Sequence, residues 1–232
     1  MSAFQALLMK EKADWTIRRI LGSEIVTIYV GPKRKSFTLH KKLLCERSIY
    51  FLKAFAGGFK EGAEGVMYME EGHVGAFDDL VNWIYRDQLP SFLSKDFADS
   101  IDGWCNFYDT VMEPLFFMAE KFCINELCNK ILDKLQDSDL KLRVMRRGHL
   151  MVVYANTHED SKLRKYYALL FAYAATFGPN VHPEGYSELV ESIPDLLKST
   201  PDLAMDFTIL QFTYGYRFRE RKTAVSFTAI LW

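Results

Sequence analysis

The sequence predicts an α+β fold, in which a small β-sheet flanked by α-helices is followed by an all-helical C-terminal region. Residues 25–30 (IVTIYV) are rich in β-branched side chains and residues 37–40 (FTLH) alternate, so together they indicate a β-hairpin. Beyond residue 137 the apolar residues follow helical spacing, and a further strand is conceivable only at the C-terminal end. The predicted parts are an N-terminal helix, the α+β region and a helical extension, over residues 1–21, 22–136 and 137–232.

The α+β region is predicted to alternate strands with amphipathic helices. Gly31-Pro32 supplies the hairpin turn, and residues 65–70 predict a third strand. Two sets of apolar residues have the i, i+3, i+4, i+7 spacing of a buried helical face, namely Leu52, Phe55, Ala56 and Phe59, and Phe77, Leu80, Val81 and Ile84. We expect Gly57-Gly58 to end the first helix and the second to end near Asp87.

The remaining residues are predicted to be mainly helical. Residues 88–110 are expected to form a loop with one short apolar element. Amphipathic spacing then predicts helices at 115–122 and 127–135, and near 139–156, 161–177, 185–198 and 201–216. Residues 224–232 (AVSFTAILW) are apolar and uncharged, so we expect them to dock on the protein or on a partner rather than remain in water.

The composition excludes several classes of protein. An apolar share of 49% with 25% charged residues argues against long disorder, collagen or coiled coil as the main architecture. The 29 basic residues nearly cancel the 30 acidic ones, so we expect neither nucleic acid nor a membrane surface as a partner. The N-terminus is charged where a signal peptide would be apolar, and residues 168–177 are too few to cross a bilayer. An intracellular protein of the cytoplasm or nucleus is expected.

Catalytic and metal-binding patterns are not found in the sequence. The five histidines are widely separated, at His40, His73, His149, His158 and His182. The four cysteines lack CxxC spacing and are predicted to be buried free thiols, at Cys45, Cys105, Cys123 and Cys128. Gly57-Gly58 lacks the spacing of a phosphate-binding loop. We therefore expect a protein that is not an enzyme and that holds no cofactor or metal.

Three motifs occur in a specific order along the α+β region. They are His40-Lys41 with Leu44, Ser48 and Phe51; Phe77 with Leu80, Ile84 and Tyr85; and Leu115 with Ala119, Glu120, Lys121 and Leu127. Together they closely resemble the BTB/POZ domain over about residues 22–135, and residues 57–61 (GGFKE) resemble its fungal branch. The resemblance implies a small sheet wrapped by helices and a role in protein–protein interaction.

Two of these residues also have a local explanation. Ser48 precedes a helix, and its hydroxyl can accept a hydrogen bond from an N–H group of the first turn. His40 lies at the junction of a strand and a helix, where we expect a structural histidine rather than a ligand.

Phe59-Lys60-Glu61 is the candidate interaction site. It resembles the motif with which BTB domains bind the N-terminal helices of a cullin scaffold, and an exposed aromatic beside a carboxylate would form a small hot spot. The resemblance thus implies a substrate adaptor of a cullin–RING ubiquitin ligase. Helix spacing supports another interpretation, in which Phe59 completes the apolar stripe and closes the core.

The alternative function is a self-associating scaffold, or a transcription- or chromatin-linked BTB protein, without a role in a ligase. The predicted N-terminal helix carries an apolar stripe that could form a homodimer face, at Leu7, Leu8 and Trp15. A basic cluster at the start of the extension is predicted to be a solvated helical face rather than a phosphate site, at Lys141, Arg143, Arg146 and Arg147.

Overall fold

The computed structural model describes residues 21–91, 101–142, 147–177 and 186–220. The chain divides into two compact units, residues 1–131 and residues 132–232. The boundary between them falls within a helix.

The N-terminal unit contains a three-stranded sheet, as predicted. The strands are β1 (Ile25–Val30), β2 (Lys35–His40) and β3 (Val66–Met69), in the order β2-β1-β3. The central strand β1 pairs antiparallel with β2 and parallel with β3, so that Ile28 lies opposite both Phe37 and Met67. Alternate side chains of β1 are buried, which gives the sheet one inner face towards the helices and one outer face.

The helices of the N-terminal unit follow the predicted order with two corrections: the short helix at Lys60–Glu64 was not predicted from the sequence, and the predicted loop at residues 88–110 is partly helical. They are α1 (Lys41–Arg47), α2 (Ile49–Ala56), α3 (Lys60–Glu64), α4 (Val74–Arg86), α5 (Ile101–Phe107), a π-helical turn (Tyr108–Met112), α6 (Glu113–Lys121) and α7 (Asn125–Leu142). The prediction of a loop through residue 110 is wrong from residue 101 onwards. Cys105, Tyr108 and Met112 are buried at helical spacing, which the polar residues between them obscure in the sequence.

The described part of the C-terminal unit is helical, which confirms the predicted architecture. After the end of α7 come α8 (Arg147–Asn156), α9 (Lys162–Phe177), α10 (Tyr186–Ser199) and α11 (Pro201–Glu220). The predicted break near residue 137 is displaced, because α7 contains neither glycine nor proline and continues to Leu142. Within the described residues, every helix is too short or too polar to span a bilayer.

Ser48 joins α1 to α2 as the sequence predicts. Its hydroxyl oxygen accepts a hydrogen bond from the Phe51 N–H at 3.2 Å, so Ser48 is the N-cap of α2. The same hydroxyl donates to the Phe122 carbonyl oxygen at 2.6 Å, and Ser48 is buried. One small polar side chain therefore caps α2 and ties it to the end of α6.

His40 has the structural role that was predicted. Its backbone N–H donates to the Tyr85 hydroxyl oxygen at 3.0 Å, and its Nδ1 atom lies 2.8 Å from the same oxygen. Because the hydroxyl accepts the N–H, its own proton is available to Nδ1. These bonds hold the end of β2 against the last turn of α4.

Trp83 on α4 is fully buried beneath two cationic side chains. The Arg47 guanidinium carbon lies 4.9 Å and the Lys130 Nζ atom 5.9 Å from the centre of its ring. Lys130 also donates to both carboxylate oxygens of Asp87 at 2.9 Å, and Arg47 lies 3.3 Å from a carboxylate oxygen of Glu126. These contacts connect α1, α4 and α7 around one aromatic ring.

Asp87→Asn is expected to reduce the amount of unfolding free energy that the protein loses on acidification. The hydrogen bond from Lys130 lowers the pKa of the Asp87 carboxyl in the folded protein, whereas its value in the unfolded chain is about 3.9. The charged Asp87 therefore stabilises the fold above about pH 4, and this stability is lost as the pH falls through the lowered pKa. Asparagine tolerates the left-handed conformation of this residue, whose φ is 56°.

Urea unfolding between pH 3 and pH 7 would measure this effect. We expect the variant to be less stable than the natural protein at pH 7 and to lose less stability on acidification. Glu71→Gln, at an exposed position, is the control and should leave the pH profile unchanged. Parallel profiles for Asp87→Asn and the natural protein would contradict the prediction.

Candidate functional site

Helix α2 has an inner aromatic side and an outer apolar side. Phe51 and Phe55 are buried, and the Phe51 and Phe122 ring centres lie 4.7 Å apart. Ile49 and Leu52 are exposed. Since the Ser48 cap and its bond to Phe122 set the rotation of α2, the helix turns Phe51 towards the core rather than Leu52.

The prediction of a buried stripe on α2 is therefore wrong, because it assigns the wrong rotation to the helix. Of its four members only Phe55 is buried, whereas Leu52, Ala56 and Phe59 are exposed. Two helical phases, one through Phe51 and Phe55 and one through Leu52 and Ala56, are similarly apolar in the sequence. Only a contact distant in sequence distinguishes them.

Phe59 is the N-cap residue of α3, and 60% of its surface is exposed. Gly57 ends α2, and Gly58 has a φ of +79°, a conformation that favours glycine. The Phe59 ring lies over Gly57, where an added Cβ atom would be 3.2 Å from the Phe59 Cε2 atom. The interpretation in which Phe59 closes the core is wrong, since its aromatic ring is presented to solvent.

Lys60 and Glu61 begin α3 beside this ring. The Lys60 side chain is largely exposed, with its Nζ atom 3.7 Å from a Glu64 carboxylate oxygen. The half-buried Glu61 carboxylate has no side-chain partner in the part of the chain that the structure describes. Gly62 allows α3 to approach the end of α2, because a Cβ atom there would lie only 2.8 Å from the Phe55 carbonyl oxygen. The three predicted site residues thus stand together on a glycine-supported turn.

These residues continue the outer side of α2 and form one candidate surface. We define the α2–α3 surface as Ile49, Leu52, Ala56, Phe59 and Glu61. Ile49, Leu52 and Ala56 recur at helical spacing and lie on one face of α2. Sequence reasoning missed Ile49 and assigned Leu52 and Ala56 to the core, although their spacing was the available signal. The surface offers an aromatic anchor, aliphatic side chains and one carboxylate acceptor.

Other predicted residues lie wholly or partly outside the described structure. Leu7, Leu8 and Trp15, and the apolar residues 224–232, fall outside it. Of the basic cluster, Lys141 belongs to α7 and Arg147 begins α8, while Arg143 and Arg146 fall outside the described residues. The dimer face, the docking of the C-terminal segment and the solvated basic face stay predictions.

The four cysteines, all within the described residues, form no disulfide, and their burial differs from the prediction at two positions. Cys105 and Cys128 are buried, as predicted, and Cys45 is half-buried. Burial raises the pKa of the Cys45 thiol. Cys123 is exposed in the turn between α6 and α7, where its φ of 55° is left-handed. The prediction of a buried thiol is wrong for Cys123, because the turn points away from the core that Phe122 and Ile124 enter.

Comparisons with known proteins agree with this architecture. Residues 26–139 match the family model of the BTB/POZ domain. A BTB/POZ domain-containing protein of Arabidopsis thaliana is 24% identical over 119 residues, which are 50% of this chain and 13% of that protein. The similarity thus concerns a small part of the relative. BTB/POZ domains are generally non-enzymatic protein–protein interaction modules and often self-associate. The three-stranded sheet with its flanking helices and the match over residues 26–139 show that this chain carries a BTB/POZ domain.

Proposed function

We propose that this protein is a substrate adaptor of a cullin–RING ubiquitin ligase, and that its α2–α3 surface binds the N-terminal helices of the cullin scaffold. The observation that carries the proposal is the 60% exposure of Phe59, directly before Lys60 and Glu61, in a BTB/POZ domain. The sequence Phe59-Lys60-Glu61 resembles the cullin-binding motif of this family.

The physical chemistry of the surface supports such a contact. Burying the Phe59 ring in a pocket of a partner removes a large apolar area from water, and aromatic anchors of this kind dominate binding energies. The Glu61 carboxylate can accept hydrogen bonds from N–H groups of the partner. The adaptor performs no bond chemistry. It raises the effective concentration of a substrate near the ligase, and the helical C-terminal unit would hold that substrate.

Phe59→Ala is expected to weaken binding to the N-terminal helices of the cognate cullin about 30-fold or more. Such a loss corresponds to about 2 kcal/mol, the lower limit of a hot spot. Because Phe59 is exposed and N-caps α3 without using its side chain, the melting temperature should stay nearly unchanged. Isothermal titration calorimetry with purified cullin fragments would measure the affinity, and circular dichroism the melting temperature.

Tyr68→Ala is the matched control for this experiment. Tyr68 is a comparably exposed aromatic residue, at 56%, but it lies on β3 rather than on the α2–α3 surface. Its replacement should leave the affinity for the cullin fragment unchanged. The adaptor proposal fails if the natural protein binds no cullin, or if Phe59→Ala changes only the stability.

Self-association is the second candidate function, in which the domain serves as a scaffold or in a transcription- or chromatin-linked protein. The stacked rings of Tyr29 and Tyr68, 5.0 Å apart, leave aromatic surface on the outer face of the sheet, and aromatic residues are enriched at protein interfaces. Light scattering should then give the mass of a dimer. Tyr29→Ala combined with Tyr68→Ala, or Trp15→Asp in the predicted N-terminal dimer face, should convert it to a monomer. A natural protein that is already monomeric at tens of micromolar would exclude this candidate.

A further inference from the structure

Helix α11 has an inner apolar face that packs against α9. Leu203 is buried, and Phe207, Leu210 and Tyr214 follow it at helical spacing. Phe207, Leu210 and Tyr214, together with Tyr173 of α9, pack against the buried Leu169 and Ala172 of α9. The Gln211 Nε2 atom also donates to the Thr176 hydroxyl oxygen at 2.9 Å. The inner face of α11 is therefore occupied by its packing against α9.

A second apolar stripe of α11 is open to solvent. Met205, Ile209 and Phe212 are exposed by 67%, 55% and 87%. At about 100° of rotation per residue, their i, i+4, i+7 spacing places them on the side opposite Leu203 and Leu210. We call Met205, Ile209 and Phe212 the α11 stripe. An apolar stripe on a helix that already has a packed face indicates an interaction surface.

We propose that residues 221–232 of the same chain fold back along α11 and pack their apolar side chains on the α11 stripe. These residues lie outside the described structure and directly follow the end of α11 at Glu220. Their last nine, residues 224–232, are apolar and uncharged, as are the three residues of the stripe. Packing on the α11 stripe would remove the apolar side chains of this segment from water.

The length of the segment fits this position. At 1.5 Å per helical residue, Phe212 lies about 12 Å and Met205 about 22 Å before the end of α11. An extended chain advances about 3.3 Å per residue, so Phe227 reaches back to the level of Met205. Arg221 and Lys222, at the root of the segment, can remain in water. The covalent connection raises the effective concentration of the segment to the order of millimolar, which favours it over a second copy of the chain.

Site-specific photo-cross-linking in the full-length protein would test the proposal. Phe227 is replaced with p-benzoylphenylalanine, and protein labelled with ¹⁵N is mixed in equal amounts with unlabelled protein before irradiation. Trypsin then releases residues 199–217, which contain the α11 stripe, separately from residues 223–232. We expect a cross-link between these two peptides in which both carry the same isotope.

Two variants make the result specific. Ile209→Ser combined with Phe212→Ser should reduce the yield of this cross-link at least tenfold, while circular dichroism shows that the helices are retained. Val152→Ser, at an exposed apolar position of α8, should leave the yield unchanged. Peptide pairs of mixed isotope would identify a second copy as the occupant and overturn the proposal. Cross-links outside residues 199–217, or an undiminished yield in the double variant, would also overturn it.

Discussion

Trp83→Ala is expected to lower the free energy of unfolding of the N-terminal unit by about 4 kcal/mol. Trp83 is one of the largest fully buried side chains, so alanine would leave a cavity that the surrounding helices can fill only in part. The variant would also remove the ring on which Arg47 and Lys130 lie. The effect is large because packing and cation–π contacts are lost together.

Urea unfolding followed by circular dichroism would measure this loss, with Trp83→Phe as the matched variant. Phenylalanine keeps an aromatic ring beneath the two cations, and the Trp83 Nε1 atom has no hydrogen-bond partner among the described residues. No hydrogen bond is therefore lost, and we expect a cost of about 1–2 kcal/mol for the smaller volume. Equal losses in the two variants would contradict the packing explanation.

Arg164→Met is expected to lower the free energy of unfolding of the C-terminal unit by about 2 kcal/mol. The Arg164 side chain is only 7% exposed and lies 3.0 Å from an Asp202 carboxylate oxygen and 3.3 Å from one of Asp206. Its guanidinium also lies 4.3 Å from the centre of the Tyr154 ring. Methionine retains most of the volume but leaves the carboxylate of Asp206 without its cationic partner.

The neighbouring hydroxyl makes this loss more costly. The Tyr154 hydroxyl donates to the Asp206 carboxylate at 2.7 Å, and burial, reinforced by this hydrogen bond, raises the pKa of Tyr154. Tyr154 therefore remains a neutral donor and cannot replace the positive charge of Arg164. This cluster connects α8, α9 and α11.

Hydrogen exchange of the α9 and α11 amides would detect the effect, because it reports the local stability of the helices that this cluster connects. Lys165→Ala is the control, because the Lys165 side chain is 58% exposed and pairs with an exposed Asp160 at 3.1 Å. Exposed ion pairs contribute between about 0 and 1 kcal/mol, so exchange should change little. A similar acceleration of exchange in both variants would show that burial of the Arg164 pair is not decisive.

The sequence by itself determined most of the secondary structure of the BTB/POZ domain and its family resemblance. The strand at residues 25–30, the Ser48 cap and the end of α4 near Asp87 depend on neighbouring residues, so local patterns predict them correctly. The identity of Phe59-Lys60-Glu61 as the candidate site likewise came from a contiguous motif. Features that depend on residues adjacent in the sequence can be predicted from the sequence alone.

Only the tertiary structure decided which side of α2 faces the core and whether Phe59 is exposed. The rotation of α2 depends on the bond from Ser48 to the Phe122 carbonyl, across 74 positions of the chain. The outward turn at Phe59 depends on the approach of Gly62 to the carbonyl group of Phe55. An amphipathic pattern is compatible with more than one rotation of a helix. The residues against which the helix packs determine which rotation it adopts. The exposed face of α2, on which the proposed binding surface lies, is the face that this packing leaves in contact with solvent.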